Sequence, residues 1–435
     1  MPPRRSARLV ELANPHFQLP FPPNVVALLF SLLPLDTRLR AREVCRGWRF
    51  FLEDVSFWQS LDFSKAAAKS LTVALTWGLV RAACARAKGT LHTLDLFAVR
   101  EVPLGALGEL VAENGESLRS LMTPYSLFLK AENVARLRQA APLCKLRCHV
   151  ECTAAEVVAL LGCELVCPYA LKVNDLDTEQ QQTGFAAALA TRTGIRILSL
   201  VGGSLAGVAA LEDLARAMVA AGVTSARISH CRLTPPALPA LTLLLRSNVL
   251  RSFVISNGGA PLFTGPDLAA FCNALRSNSS LDWIHLGYCD LWADPADAGM
   301  VLAALAARTT PFALALEDNR VGETQAHQQF AAGVQLAQLT AAGELKKLNL
   351  VGCNLGEAGL APIFEALPRA SRLGHLTFKG EELGSEFARD VVLPSVRANN
   401  SLRELKFHNR DEGELLPELI EAQNIVNSRS PRPNV

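Results

Sequence analysis

From Trp58 onward the chain restates one phrase, L-x-x-L-x-L-x-x-(N/C), and a repeat of this length admits few architectures. Clear copies open at Leu91 (LHTLDL), Leu118 (LRSLMT), Leu143 (LCKLRC), Ile195 (IRILSL) and Leu250 (LRSFVI). Others open at Leu281 (LDWIHL), Leu345 (LKKLNL), Leu373 (LGHLTF) and Leu402 (LRELKF). Weaker copies open at Pro168, Val223 and Pro311, and Trp58 (WQSLDF) reads as a half-merged first one. Successive starts lie 25–34 residues apart. Alternation about the fourth and sixth positions predicts a short strand in each copy. Apolar residues spaced by three and four in 211–220, 267–275, 297–307 and 387–396 predict a helix after it. A single unit of this size cannot bury both of its apolar faces, whereas stacked units share one core.

The ninth position of the phrase is Cys231, Cys289, Asn319 and Cys353 in four of the later copies. With that residue the unit resembles the ribonuclease-inhibitor and cysteine-containing types of leucine-rich repeat. The resemblance implies an α/β horseshoe solenoid of about 12 repeats over residues 58–425. It also implies that the ninth residue turns inward and hydrogen-bonds backbone left open by the bend. Three helices close on Arg-x-Asn, at 246–248, 276–278 and 397–399. Here asparagine is expected to take the left-handed conformation and arginine to complement the helix dipole.

Ahead of the repeats, residues 22–64 read PPNVVALLFSLLPLDTRLRAREVCRGWRFFLEDVSFWQSLDFS. A proline opens a helix-spaced apolar run, a second proline breaks it, and a basic stretch leads to Val44-Cys45-x-x-Trp48. This resembles the F-box, a small three-helix module that docks on the Skp-family adaptor of SCF ubiquitin ligases. Pro22, Val25, Val26, Leu29, Leu33, Pro34, Val44, Cys45 and Trp48 fall where the family pattern places such residues. The segment from Asp36 to Val44 is one residue longer than that pattern, and Thr37 stands where leucine is usual. We assign 16–57 to the F-box, 1–15 to a flexible basic terminus and 426–435 to a disordered tail.

Composition narrows the partners. Forty-three basic against 41 acidic residues leave the chain near neutral, so nucleic acid is not an expected partner. The longest apolar run, 25–35, is far shorter than the roughly 20 residues that span a bilayer, so no membrane is expected either. Eleven scattered cysteines argue for reduced thiols in cytoplasm or nucleus. Cys144, Cys148, Cys152, Cys163 and Cys167 lack structural zinc spacing, and His149-x-Glu151 ahead of them departs from the zinc-deaminase signature. The chain has no Walker A lysine, and Gly202-Gly203-Ser204-Leu205-Ala206 fails the nucleophile elbow. The histidines on or beside strands, including His149, are expected at the solvated surface. No cofactor, metal or catalytic residue is expected.

If the leucines point inward, the second, third, fifth, seventh and eighth positions line the concave face. From the Val223 repeat to the last, that face then presents Arg227, His230, Arg251, Asn257, Asp282, Trp283, His285, Tyr288, Glu317, Asp318, Lys346, Lys347, Asn349, His375, Lys379, Arg403, Lys406 and His408. Trp283, His285, Tyr288, Asp318, Lys346 and Lys347 are the expected target-binding set, with aromatic anchors beside charges. The resemblances together imply a non-catalytic SCF substrate receptor, monomeric within a hetero-complex, holding a target for a cullin scaffold. The alternative is a leucine-rich scaffold or inhibitor whose F-box-like cap has no ligase role.

Overall fold

Leucines at the fourth and sixth positions leave water only if successive strands stack in register. The computed structural model describes residues 52, 54–63, 77–97, 99, 102–124, 127–205, 208–258, 261–321, 326–379, 383–408 and 415–429. The adaptor-docking residues Pro22 to Trp48 and the basic terminus lie outside the described residues, as do 430–435. The described residues fall into two units, one running to Cys152 and including Ala159–Leu171, the other comprising Thr153–Val158 and everything from Lys172 onward. Both are α/β.

In the first unit, β1 (Ser60–Asp62), β2 (Thr93–Asp95) and β3 (Ser120–Met122) pair in parallel. β4 (Phe128–Lys130) and β3 both pair with β5 (Lys145–Thr153). Leu61, Leu94, Leu121 and Leu146 occupy one register row and are buried. Helices Trp77–Cys84, Leu104–Glu113 and Ala131–Ala140 make the crossovers that parallel pairing requires. The copy at Trp58 is a full repeat: Trp58 is buried, its Nε1 donates to the Leu52 carbonyl at 2.6 Å, and β1 pairs along its length. The copy at Leu143 needs correction. Leu143 is 60 % exposed, and Cys144 takes the inward place, because the chain turns with the Cys144 N–H on the Ala141 carbonyl. β6 (Val166–Asn174) buries Pro168, Leu171 and Val173, as its copy predicts.

The second unit holds β7 (Ile197–Val201), β8 (Ser225–Ser229), β9 (Ser252–Ser256), β10 (Trp283–Gly287), β11 (Phe312–Ala315), β12 (Leu345–Asn349), β13 (His375–Lys379) and β14 (Glu404–His408). Each is parallel to the next in chain order. The fourth motif position forms one row, Leu198, Ala226, Phe253, Ile284, Leu314, Leu348, Leu376 and Leu405, all buried. Burial of one leucine-sized side chain is worth roughly 1.5–3 kcal/mol, and the row repeats that gain at every position except Ala226, which is smaller. Helices Val208–Ala221, Leu238–Arg246, Leu268–Ser277, Pro295–Ala306, Ala326–Ala341 and Gly356–Ala366 alternate with the strands.

Polar bridges tie each repeat to the one before it. Cys231 gives its thiol to the Gly202 carbonyl at 3.0 Å, and Cys353 to the Leu316 carbonyl at 3.0 Å. Asn319 accepts from the backbone N–H groups of Cys289 and Leu291 at 3.0 and 3.1 Å and donates to the carbonyls of Leu286 and Leu316. The helix-end asparagines need correction. Asn248 is left-handed with φ 56°, but Asn278 and Asn399 are extended. They reach back instead, each donating to a carbonyl at the previous helix end, Leu245 and Leu367, at 2.7 Å. Arg308 does the same for Leu275 at 2.7 Å, packs over Phe312, and is buried enough to bring its guanidinium pKa down to about 10. The first four residues of the expected tail, 426–429, belong instead to helix Pro417–Arg429, which buries Leu419, Ala422 and Val426, and Arg429 donates to the Val396 carbonyl at 2.8 Å. Polar residues between those three weakened the apolar signal.

Candidate protein-interaction face

In the second unit the side chains that alternate with the buried rows define an outward strand face. One outward row runs Ser225, Ser252, Trp283, Ala313, Lys347, His375 and Glu404, and the next Arg227, Val254, His285, Ala315, Asn349, Thr377 and Lys406. β11 contributes only methyl groups, so Ala313 and Ala315 form a low floor between Trp283 and His285 on one side and Lys347 and Asn349 on the other. Both alanines are buried beneath their neighbours. Register slips by one residue between Phe312 and Ala313, where Phe312 turns into the core. Lys346 is left without a partner residue on β11, and both it and Lys347 are exposed.

Past the floor sits a polar cluster. Asn349 donates to the Glu317 carboxylate at 2.5 Å, whose other oxygen lies 3.9 Å from His285 Nε2. Gly287 makes room for the His285 ring, since a Cβ there would collide with it and with the Glu317 carbonyl. Burial holds His285 below the usual histidine range; Glu317 opposes that shift and Arg227 adds to it. The Tyr288 hydroxyl bonds the Asp318 carboxylate, which raises the phenol pKa. Tyr288 is 40 % exposed and left-handed at φ 52°. A side chain with a Cβ pays about 1 kcal/mol or more for that conformation, and glycine occupies the matching position at Gly202 and Gly352.

Trp283, His285, Tyr288, Asp318, Lys346 and Lys347 therefore lie on one face, the first three on or beside β10 and the others on the two following repeats. Asn257 does not join them. It is buried, trading hydrogen bonds with the Leu233 backbone at 2.6 and 2.7 Å. Sequence reasoning missed the alanine floor and the left-handed eighth position. The glycines at 202 and 352 were the available signal for the second.

The first unit carries an aromatic group. His149 is buried rather than solvated, stacked on Tyr169 at 5.8 Å and edge-on to Phe128 at 5.3 Å. Phe128 packs beside it because β4 and β5 set Phe128 opposite His149. Cys144, Cys148 and Cys152 are buried, but Cys167 is exposed, because it alternates with the inward Val166 and Pro168.

Repeated strands in parallel register, bridged by inward cysteine and asparagine, give the described residues a leucine-rich-repeat fold. The F-box-like family model matches residues 21–64, so the chain couples an F-box-like segment to leucine-rich repeats. That range contains every expected adaptor-docking residue from Pro22 to Trp48. No curated protein matches the chain. Among solved structures, the yeast complex of Rad7 and Elc1 is similar at 11 % identity, covering 89 % of this chain and 97 % of that one, with a TM-score of 0.37. Leiomodin-1 actin-binding site 2 is similar at 18 % identity over 43 % of this chain and 86 % of that one, with a TM-score of 0.26.

Proposed function

We propose that this chain is the substrate-recognition subunit of an SCF-type ubiquitin ligase. The observation that carries the reading is the F-box-like match at 21–64, running directly into a repeat stack that begins at Trp58. On this reading the contacts to a Skp-family adaptor are expected from Val25, Leu29, Leu33 and Trp48, and Pro22 is expected at a helix start, where a missing N–H costs nothing. The adaptor links the chain to a cullin scaffold, and the strand face of the second unit holds a target protein. Its contribution is effective concentration and orientation, with the covalent chemistry supplied by other subunits. The role is non-catalytic, needs no cofactor, and fits a reducing compartment, cytoplasm or nucleus.

The test is capture of purified adaptor by the full chain. Truncating a buried anchor costs an interface about 2–4 kcal/mol. Pro22→Ala combined with Leu29→Ala should abolish capture and leave the circular dichroism of the repeats unchanged. Undiminished capture by the double variant removes the docking surface. A parent chain that captures no adaptor leaves the scaffold or inhibitor reading.

A further inference from the structure

On the strand face of the second unit the acids already have partners. Glu317 accepts from Asn349 at 2.5 Å, Glu404 holds His375 and Lys406, each at 2.5 Å, and Asp318 is engaged by the Tyr288 hydroxyl. Asp282 faces Arg251 at 4.0 Å. The cations are in excess. Arg227, Lys346 and Lys347 are exposed and form no ion pair among the described residues. The register slip at Phe312 presents the two lysines side by side. Across the alanine floor stands Trp283, half-buried and two strands from Lys347. Tyr288 stays exposed in a conformation that suits glycine better, a local cost with no return in core packing.

We propose that this face takes an extended anionic peptide segment of the target. An apolar side chain seats against Trp283 above Ala313, and a carboxylate or phosphate meets Lys347 and Lys346. Neighbouring strands lie about 4.8 Å apart, so Trp283 and Lys347 are separated by roughly 10 Å. An extended chain crossing the strands advances about 3.3 Å per residue, which places the anion about three residues from the apolar anchor. Arg227 lies on the other side of Trp283 and attracts a second anion preceding the anchor. A basic partner is disfavoured because it would meet uncompensated cations and carboxylates that are already engaged. The chemistry rests on this face alone; only the role of the peptide as a ligase target rests on the receptor reading.

The test uses the full chain and a fluorescein-labelled peptide library. Each peptide carries one tryptophan or leucine, with glutamate, phosphoserine or glutamine stepped along the following positions. Fluorescence polarisation should find binding for the glutamate or phosphoserine series, best near the third position, and weak binding for glutamine. Which anionic series binds more tightly separates carboxylate from phosphate. Lys346→Glu with Lys347→Glu should weaken binding by at least about tenfold, and raised salt should do the same. Trp283→Ala should weaken it at every anion position; should that variant melt early, the exposed lysine pair decides. Glutamine peptides binding as well as anionic ones, a charge-reversed chain that binds like the parent, or capture of single-stranded RNA or phosphatidylserine vesicles but no peptide would each overturn the proposal. Adaptor capture is measured on the same proteins. Peptide binding without adaptor capture removes the receptor reading and keeps this face, and the converse removes this face alone.

Discussion

Asn319 is the residue whose loss the bridging geometry prices most directly. Its side chain is fully buried and accepts from the N–H groups of Cys289 and Leu291 in the bend of the preceding repeat. Asn319→Ala strips both donors of their acceptor where water does not reach. Of the two carbonyls it serves, Leu316 loses less, since it still receives the Cys353 thiol. Each stranded donor costs about 1–3 kcal/mol, so the pair is worth roughly 3 kcal/mol. In a repeat array that cost falls on the interface between the two repeats rather than on the whole chain. Native-state hydrogen exchange read by mass spectrometry is therefore the assay. At about 1.4 kcal/mol per tenfold, amides around Cys289 and Leu291 should exchange about two orders of magnitude faster. Asn319→Cys, matching the residue at positions 231, 289 and 353, should recover only the donor half, because a thiol is a weak acceptor. Protection near the parent value in the alanine variant would mean that the bend does not depend on this bridge.

Thiol chemistry should divide the cysteines. Burial pushes Cys231 and Cys289 up to about 12, while Cys167 is exposed, so iodoacetamide on the folded chain should label Cys167 and spare those two; peptide mapping decides. His285 should make stability depend on pH. Its folded pKa lies below the ordinary 6.5, so the unfolded chain binds the proton more readily, and its contribution is complete above 6.5 and declines as pH falls toward the folded value. Melting curves of His285→Asn should lose that part of the acid sensitivity, and an unchanged pH profile would sink the assignment.

Much of the fold was legible because the leucine-rich phrase sets both a strand and a stacking distance. Leu94, Ile284, Leu348 and Leu405 could be placed in the core from spacing alone, since only one face of a short strand can be apolar and buried. The inward turn of the cysteines at 231, 289 and 353, which lie past the strand ends, was legible only through the resemblance to leucine-rich repeats. Tertiary structure decided what depends on a neighbouring repeat. The inward turn of Asn257 follows from the Leu233 backbone, and the reach of Asn278, Arg308 and Asn399 from carbonyls about a repeat earlier in the chain. No local pattern marks Arg308 as the stand-in for asparagine, because its partners are 27 and 33 residues away. The aromatic setting of His149 requires Phe128 and Tyr169, brought to it by strand pairing and chain return. The interaction face divides in the same way. Trp283, Tyr288 and the lysines could be assigned to it from alternation, but the Ala313 floor and the exhausted acids appear only once separate strands lie side by side. Periodicity determines which way a side chain points, and stacking determines what it meets.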